Sequence, residues 1–451
     1  MPKKKTALTI EERLQQALVP AEEQPYEVPE NWVWVRLGEV NKYISKSVNP
    51  ISEPDKIFEL YSVPSMVDNY PEIIAGSDIG SSKQSVCKKD VLLCKINPRI
   101  NRVWKVSQFT DNELIASSEW IIIRNNHINE NYLMYCFQSK YFREFMLSNV
   151  SGVGGSLMRA QPKYVQTYPI PLPPLSEQQR IVERIEELFA KLDEAKERLQ
   201  EVADSFAVRK AAILHKAFTG ELTKQWRREN GVSDESWEDV SLDSVCKSIY
   251  DGDHMPPPKS ETGIPFLVIS NVNTGFISFE KCRFVPEEYY DGLSETRTPE
   301  IGDILYTIVG SYGIPVMVDT DKKFCFQRHM ALLKPKDIYN RFLWCQLQTQ
   351  SFFEQATSIA TGTAQLTVPI KGLRKLIVKC PTLSEQHEIV RLIDDLLARE
   401  RAAQQATEQA LASIDLMKKS ILARAFRGEL GTNKASEASA LELLKQVLEE
   451  N

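Results

Sequence analysis

The chain has 451 residues, of which 42% are hydrophobic and 26% are charged, and its formal net charge at pH 7 is -6. This length predicts two or three domains. No stretch approaches the roughly 18 to 20 apolar residues of a membrane span, and the N-terminal lysines precede no apolar signal core. We therefore expect a cytoplasmic protein with no membrane partner. The eight cysteines form no C-x-x-C pair, which argues against a structural zinc site and favours reduced thiols.

An N-terminal extension, residues 1–29, precedes a first globular block at 30–174. Apolar runs such as Trp120-Ile121-Ile122-Ile123, separated by Pro and Gly, predict a mixed α/β domain rich in strands. Between Ser82 and Lys105 the block carries seven Lys or Arg residues and one Asp, which is seven minus one, or +6. A basic segment within an acidic chain is typical of a nucleic-acid contact; a solvated basic loop is the alternative.

Polar side chains follow the apolar strand Leu92–Cys94. Arg can bind guanine bidentately, Asn can bind adenine and Lys can hold phosphate. On this basis we predict DNA contacts for Lys95, Asn97, Arg99, Asn101 and Arg102. Two further polar loops, Gly80–Gln84 and Gly152–Gln161, add Lys83, Ser156, Arg159 and Gln161 as candidates.

A long helix is predicted at 175–222. Its apolar residues alternate spacings of four and three, which is the seam of a coiled coil: Ile181, Ile185, Leu188, Leu192, Ala195, Leu199, Val202 and Phe206. Ser176 and Gln179 predict a capping box at its start, and Gly220 its end. About 42 residues at 1.5 Å each give a rod of roughly 60 Å. The polar segment 223–236 is interpreted as a linker.

The second half has the same order. A globular block at 237–382 contains the candidate DNA contacts His254, Ser311, Tyr312, Arg328, His329, Thr363 and Gln365. Asp251, Asp253 and His254 could suggest a metal site, but no second cluster completes a ligand set, so no metal is expected. A helix at 383–430 repeats the seam, interrupted by Glu400 and Thr407, with Ile389, Ile393, Leu396, Ala403, Ala410, Ile414, Met417 and Ile421. The tail 431–451 contains a short helix, Leu441–Leu448.

The two halves are an internal repeat. Ser176–Leu222 aligns without a gap on Ser384–Leu430, at a shift of 208 residues, and the globular blocks correspond more weakly. Similar halves can pack as a pseudo-dimer, whose two-fold axis makes the helices antiparallel. The expected fold is α+β, with two mixed α/β domains separated by two long antiparallel coiled-coil helices. Such a spacer would hold two different readers a fixed distance apart along DNA, where half-sites recur about every 34 Å.

Two motifs carry a family resemblance. Pro174-Leu175-Ser176-Glu177-Gln178, with Thr382–Gln386 in the second copy, and the closing Ala217–Leu222, with Ala425–Leu430, resemble the specificity subunits of type I restriction-modification systems. The resemblance implies that each globular block is a target recognition domain for half of an asymmetric bipartite site in double-stranded DNA. It also implies that the helices dock two methyltransferase subunits and that restriction subunits join them.

Catalysis is expected on those partners. The sequence contains no Asn/Asp-Pro-Pro-aromatic loop for methyl transfer and no Walker motif. The resemblance assigns adenine methylation and ATP-dependent cleavage to the complex, with S-adenosylmethionine, ATP and Mg on partner subunits and no cofactor on this chain. Alternatives are a specificity subunit of a related methyltransferase or nuclease system outside type I, a coiled-coil scaffold that binds proteins and, third, an enzyme.

Overall fold

The structure, a computed structural model, describes residues 8–152, 158–254 and 256–449. Its helices are α1 (Ile10–Ala17), α2 (Leu37–Val40), α3 (Glu130–Gln138), α4 (Lys140–Ser148), α5 (Pro162–Val165), α6 (Leu175–Phe218), α7 (Lys224–Asn230), α8 (Glu287–Asp291), α9 (Asn340–Leu347), α10 (Gln350–Ser358), α11 (Ile370–Leu373), α12 (Leu383–Ala425) and α13 (Ala440–Glu449). Its strands are β1 (Val33–Arg36), β2 (Ser47–Val48), β3 (Ile57–Tyr61), β4 (Glu72–Ala75), β5 (Lys83–Ser85), β6 (Val91–Cys94), β7 (Val103–Lys105), β8 (Glu113–Ala116), β9 (Trp120–Ile123), β10 (Val150–Ser151), β11 (Arg159–Ala160), β12 (Pro169–Leu172), β13 (Glu238–Ser241), β14 (Cys246–Asp251), β15 (Ile264–Leu267), β16 (Arg283–Val285), β17 (Ile304–Thr307), β18 (Pro315–Met317), β19 (Cys325–Phe326), β20 (Met330–Pro335) and β21 (Ile377–Cys380).

These elements form two compact units. Unit 1 comprises residues 1–199 and 410–451, and unit 2 comprises residues 200–409. Each unit therefore contains one globular block together with parts of both long helices. None of the helices in the described ranges is both long and apolar enough to cross a membrane.

Unit 1 is built around the three-stranded antiparallel sheet β7-β6-β9 and the five-stranded sheet β2-β5-β8-β3-β4. Strand β6 is apolar throughout because both of its faces are buried. Leu93 packs in the same core as Phe137 of α3 and Phe142 of α4, whereas Leu92 packs with Trp120 on the other side. The smaller sheets β1-β12 and β10-β11 complete the unit.

Unit 2 repeats this plan in the four-stranded sheet β14-β20-β17-β18, with the sheets β16-β15-β19 and β13-β21 beside it. Strand β17 takes the place of β6: Ile304 shares a core with Phe342 of α9, and Leu305 belongs to a second core. The predicted mixed α/β blocks are thus confirmed.

The long helices pair within each unit, the start of one against the end of the other. In unit 1, Ile181 and Ile185 of α6 share a core with Leu422 and Ala425 of α12. In unit 2, the end of α6, at Leu214 and Ala217, packs with the start of α12, at Ile389 and Ile393. The predicted antiparallel pairing is therefore confirmed. Ile414 is also buried, and the other named seam residues that are half-buried are Leu188, Leu192, Ala195, Leu199, Phe206, Leu396, Ala410 and Ile421.

Three predicted seam positions were wrong. Val202 is 41% exposed, Met417 is 49% exposed and Ala403 is also exposed. An α-helix with 3.6 residues per turn drifts about 20° per heptad from a strict seven-residue repeat, so the buried stripe has rotated away from these positions. Beside Met417 the half-buried position belongs to Lys418, whose ammonium group lies 2.5 Å from Asp193 and 5.0 Å from the centre of the Phe189 ring.

The repeated Glu-Gln motif, Glu177-Gln178 and Glu385-Gln386, connects the start of each long helix to its globular block by hydrogen bonds. The side-chain oxygen of Gln178 accepts a hydrogen bond from the backbone amide of Asn129 (2.9 Å), and that of Gln386 from the amide of Tyr339 (2.8 Å). Each side-chain amide also donates to the backbone carbonyl five residues earlier, at 2.9 Å. The motif thus has a packing role in both copies.

The predicted capping box was wrong. Helix α6 begins at Leu175, so Ser176 lies inside it, and the carbonyl of Pro174 accepts the first amide bonds. Gln179 instead accepts from the side-chain amide of Asn129. Gly220 does follow the end of α6, as predicted, with φ of 75°, and its repeat counterpart Gly428 follows α12 with φ of 74°. Helix α13 confirms the short helix in the tail.

The segment 223–236 is more than a polar linker. It contains α7, and the side chain of Arg227 is only 7% exposed. Its Nη1 donates to the fully buried carboxylate of Glu385 at 2.7 Å, and Trp237 Nε1 and Thr223 Oγ1 donate to the same oxygen. In unit 1, Glu177 instead accepts from neutral donors that include Trp32 Nε1. The segment is therefore a packed part of unit 2.

Candidate functional site

Three loops of unit 1 meet beside the end of β6. The A loop (residues 95–102) follows β6, the B loop (117–119) precedes β9, and the C loop (158–161) contains β11. The amide of Lys95 donates to the carbonyl of Glu119 (3.0 Å), the amide of Ala160 to that of Lys95 (2.8 Å), and the amide of Asn97 to that of Met158 (2.7 Å). Two segments that the sequence predicted separately, around Lys95 and around Arg159, thus form one surface.

Unit 2 contains the same loop set. Its A loop (308–313) follows β17, its B loop (327–329) precedes β20, and its C loop is 365–368. The backbone amide of Ile308 donates to the backbone carbonyl of His329 (2.9 Å). The amide of Val368 donates to the carbonyl of Ile308 (2.8 Å), and the amide of Gly310 donates to the carbonyl of Leu366 (2.9 Å). Asn97 and Gly310 both bend the A loop in the left-handed region, with φ of 47° and 71°, where Asn and Gly are the residues best tolerated.

In unit 1 the A and C loops present cations. Lys95 Nζ donates to the carbonyl of Ser118 at 2.6 Å, and Arg99 is exposed. The guanidinium of Arg159 pairs with Glu119, with Nε and Nη2 at 3.3 and 3.4 Å from the two carboxylate oxygens. Gln161 lies at the end of the C loop and is half-buried.

Two predicted residues shape the A loop. Asn101 Nδ2 donates to the carbonyls of Phe137 and Gln138, at the end of α3. Arg102 Nη1 donates to the carbonyl of Ile96 at 3.4 Å. These bonds help to fix the shape of the A loop, and the DNA contact predicted for both residues stays a prediction.

The basic segment of the sequence does not form one patch. Strand β6 separates Lys88 and Lys89, which precede it, from Lys95, which follows it. Lys105 pairs in register with Val91 at the far end of the sheet, and its Nζ donates to Asn131 Oδ1. The charge of +6 is therefore divided between opposite ends of the strand.

Strand β5 lies next to the B loop. The side chain of Gln84 donates to the carbonyls of Ser117 and Trp120 and so links the strand to the loop. Lys83 bonds to Ser81, and partial burial lowers the pKa of its ammonium group. Ser156, the other candidate of the 152–161 segment, lies outside the described residues.

In unit 2 the loops line a cleft of about 370 Å³, whose wall includes Asp251, His254, Arg328, His329 and Gln365. His254 Nε2 lies 2.8 Å from Asp251 Oδ2. Arg328 is exposed, and burial together with the Arg328 charge lowers the pKa of the His329 imidazole. Four predicted residues are thus brought together, and Thr363 is exposed just before the C loop.

An aromatic pair borders the A loop of unit 2. The Tyr312 ring stacks on Phe353 with centroids 5.5 Å apart and planes 8° apart, and its hydroxyl donates to Thr357 Oγ1. Ser311 beside it is exposed. Three features of these sites were not predicted from the sequence: Phe353, the pairing of Asp251 with His254, and Glu119. An alignment of β9 with β20 between the two halves of the repeat would have matched Glu119 with His329.

Within residues 8–152, 158–254 and 256–449, no group of three or more His, Cys, Asp or Glu side chains is arranged to hold a metal ion. The His254 imidazole instead lies against the Asp251 carboxylate, and Arg297 is 3.9 Å from the other Asp251 oxygen. The two loop sets offer hydrogen bonding by cations, amides, the His329 imidazole and the Glu119 carboxylate.

Comparison with known proteins identifies related chains. A family model described as type I restriction modification DNA specificity domain matches residues 29–204 and 234–411. The chain is 29% identical over 276 residues to the EcoBI specificity subunit of Escherichia coli, covering 58% of each chain. It is 27% identical over 317 residues to the EcoKI specificity subunit of E. coli strain K12, covering 67% of this chain and 66% of that one. These alignments span less than two thirds of either relative.

The fold also matches a solved structure. The crystal structure of the HsdS subunit from Thermoanaerobacter tengcongensis superimposes with a TM-score of 0.65 at 23% identity, covering 90% of this chain and 99% of that one. At this identity the likeness concerns the fold.

Proposed function

The chain belongs to the type I restriction modification DNA specificity domain family, and on that premise we propose that it is the subunit that selects an asymmetric bipartite target in double-stranded DNA. Each unit would read one half of the target through its A, B and C loops.

One observation carries the proposal: a shared loop framework bears different side chains in the two units. The three backbone hydrogen bonds that join the loops recur at equivalent positions. The side chains on that framework are Lys95, Glu119 and Arg159 in unit 1, where unit 2 has Ile308, His329 and Thr367. Base edges are distinguished by side-chain hydrogen bonds in the major groove, so one framework with two side-chain sets suits two different half-sites.

We propose that catalysis belongs to partner subunits. Two methyltransferase subunits would dock on the long helices and bind S-adenosylmethionine, and restriction subunits would bind ATP and Mg. In this assignment the present chain binds no cofactor and performs no reaction. The complex would act in the cytoplasm as an adenine methyltransferase and ATP-dependent endonuclease.

Methylome sequencing tests the proposal. Cells that lack other DNA methyltransferases would express this chain together with its methyltransferase subunit. We expect methylated adenines within one motif that has two specified parts and an unspecified gap, and no methylation when this chain is omitted. A continuous motif, or methylation independent of this chain, would contradict the proposal.

Salt dependence separates this function from a protein-binding scaffold. Binding through phosphates releases counterions, so the affinity of the methyltransferase complex for target DNA should fall steeply between 50 and 200 mM salt, by about 10³-fold or more if six or more phosphates are contacted. A scaffold with end domains for protein partners would show neither this slope nor a sequence preference. The family match disfavours that alternative.

A further inference from the structure

An acidic side chain lies on the cationic loop surface of unit 1. Glu119 belongs to the B loop, its side chain is 27% exposed, and it is paired with Arg159 of the C loop, which is 44% exposed. The same loop meets Lys95 through both the backbone amide and Nζ of that residue. Glu119 therefore stands where the proposed function brings DNA phosphates near.

The loop framework does not require this ion pair. In unit 2 the positions of Glu119 and Arg159 are occupied by His329 and Thr367, and the three backbone hydrogen bonds between the loops still form. Duplex DNA carries one negative charge about every 1.7 Å along its axis, so a carboxylate on this surface weakens phosphate attraction. Its presence is explained if it forms a specific contact.

The geometry of the pair leaves hydrogen-bonding groups free. Among the described residues, Arg159 uses Nε and one hydrogen of Nη2 toward Glu119, which leaves Nη1 and the second hydrogen of Nη2 as donors for a bidentate contact, while a carboxylate can accept at further lone pairs. An acceptor thus lies beside a donor. In the major groove, Glu or Asp accepts from the amino group of cytosine, and Arg donates to O6 and N7 of guanine.

From this arrangement we infer that Glu119 and Arg159 together select one C·G base pair in the half-site read by unit 1. Glu119 accepts from the cytosine 4-amino group, and Arg159 donates to the paired guanine. The inference rests on the proposed function and adds Glu119 as a specificity-determining residue.

The test is methylome sequencing with E119Q and R159K, each expressed with the methyltransferase subunit. The native chain should specify a C·G pair in one half of its motif. Both variants should lose preference at that same pair, by roughly 5- to 150-fold, the range of one good bidentate contact, and the other half should be unchanged. R159K is the second variant because lysine keeps the charge but cannot form the bidentate contact.

A charge-matched control is E144Q. Glu144 lies on α4 of the same unit, and its side chain is 65% exposed. The E144Q substitution removes the same charge outside the three loops, so the motif methylated with this variant should equal the native motif. The inference is overturned if E119Q keeps the full native preference, as E144Q should, if the two site variants relax different base pairs, or if the base pair that they relax is not C·G. A native chain that directs no bipartite motif refutes the proposed function as well; a native bipartite motif that survives E119Q refutes this inference alone.

Discussion

Lys95 and Glu119 share one loop surface but have different parts in the proposed DNA contact. A lysine ammonium is a point charge suited to phosphate, which carries no sequence information. In the proposed contact Lys95 would contribute affinity, whereas the Glu119 carboxylate would contribute choice between bases. Substitutions at the two positions should separate these effects.

K95A should weaken DNA binding about equally on all sequences. Loss of one phosphate contact should reduce the slope of log affinity against log salt by about 1, measured by fluorescence anisotropy of the methyltransferase complex. K88A is the matched control, because Lys88 lies before β6 and Lys95 after it. Equal effects of the two variants would contradict the division of the basic segment.

Thiol reactivity should follow burial. Burial raises the pKa of Cys136, Cys246, Cys325 and Cys345 to about 12, whereas Cys87 is exposed. The thiolate is the reactive form, so at pH 8 a disulfide reagent such as DTNB should label Cys87 first and the four buried thiols only after unfolding. C87S should abolish the fast phase; its persistence would show that another thiol is accessible in the folded chain.

The buried ion pair between Arg227 of α7 and Glu385 of α12 leads to a prediction about stability. R227M leaves the Glu385 carboxylate buried without its cation, which should cost about 3 to 5 kcal/mol in the free energy of unfolding of unit 2, measured with denaturant. The double variant R227M/E385Q should recover part of this loss. K379M is the control, because Lys379 and Asp239 pair within unit 2, both are more than 40% exposed, and such pairs contribute about 0 to 1 kcal/mol. A small effect of R227M would show that water reaches Glu385.

The sequence predicted the helices well and their finer packing less well. Heptad spacing identified α6 and α12 because apolar residues mark a buried stripe directly. The outward rotation at Met417 was missed because Lys418 reads as a surface residue, although its stem lies beside Phe189 and its charge is paired with Asp193. Arg227 was missed for the same reason: a charge in a polar segment gives no sign of a distant buried partner.

The loop residues were predictable by type rather than by role. An apolar strand followed by Lys, Asn and Arg indicated the A loop, but the occupation of Asn101 by the end of α3 depends on tertiary contacts. Glu119 was missed because the residue types sought for DNA contacts were mostly cationic or amide. Its position became informative only when the structure set it beside Arg159.

For the whole chain, the proposal of a spacer between two readers predicts the effect of insertions. One heptad added after Leu199 and one after Thr407 would lengthen both helices by about 10 Å each, which corresponds to roughly three base pairs. The methylated motif should keep both half-sites and gain a longer gap. Insertion of one heptad in α6 alone is the control and should impair the pairing of the helices. An unchanged gap in the double insertion would exclude the spacer role.

Unit 1 is discontinuous in the chain. Its core joins Tyr132 and Ile181 to Phe426, Leu444 and Val447, whereas unit 2 is one continuous segment. During synthesis on the ribosome, the first globular block therefore cannot complete its core until more than 200 further residues have been made. The later block can finish folding before the earlier one, and a nascent chain that stalls after residue 409 would leave the apolar surface that awaits Phe426 open to chaperones and proteases.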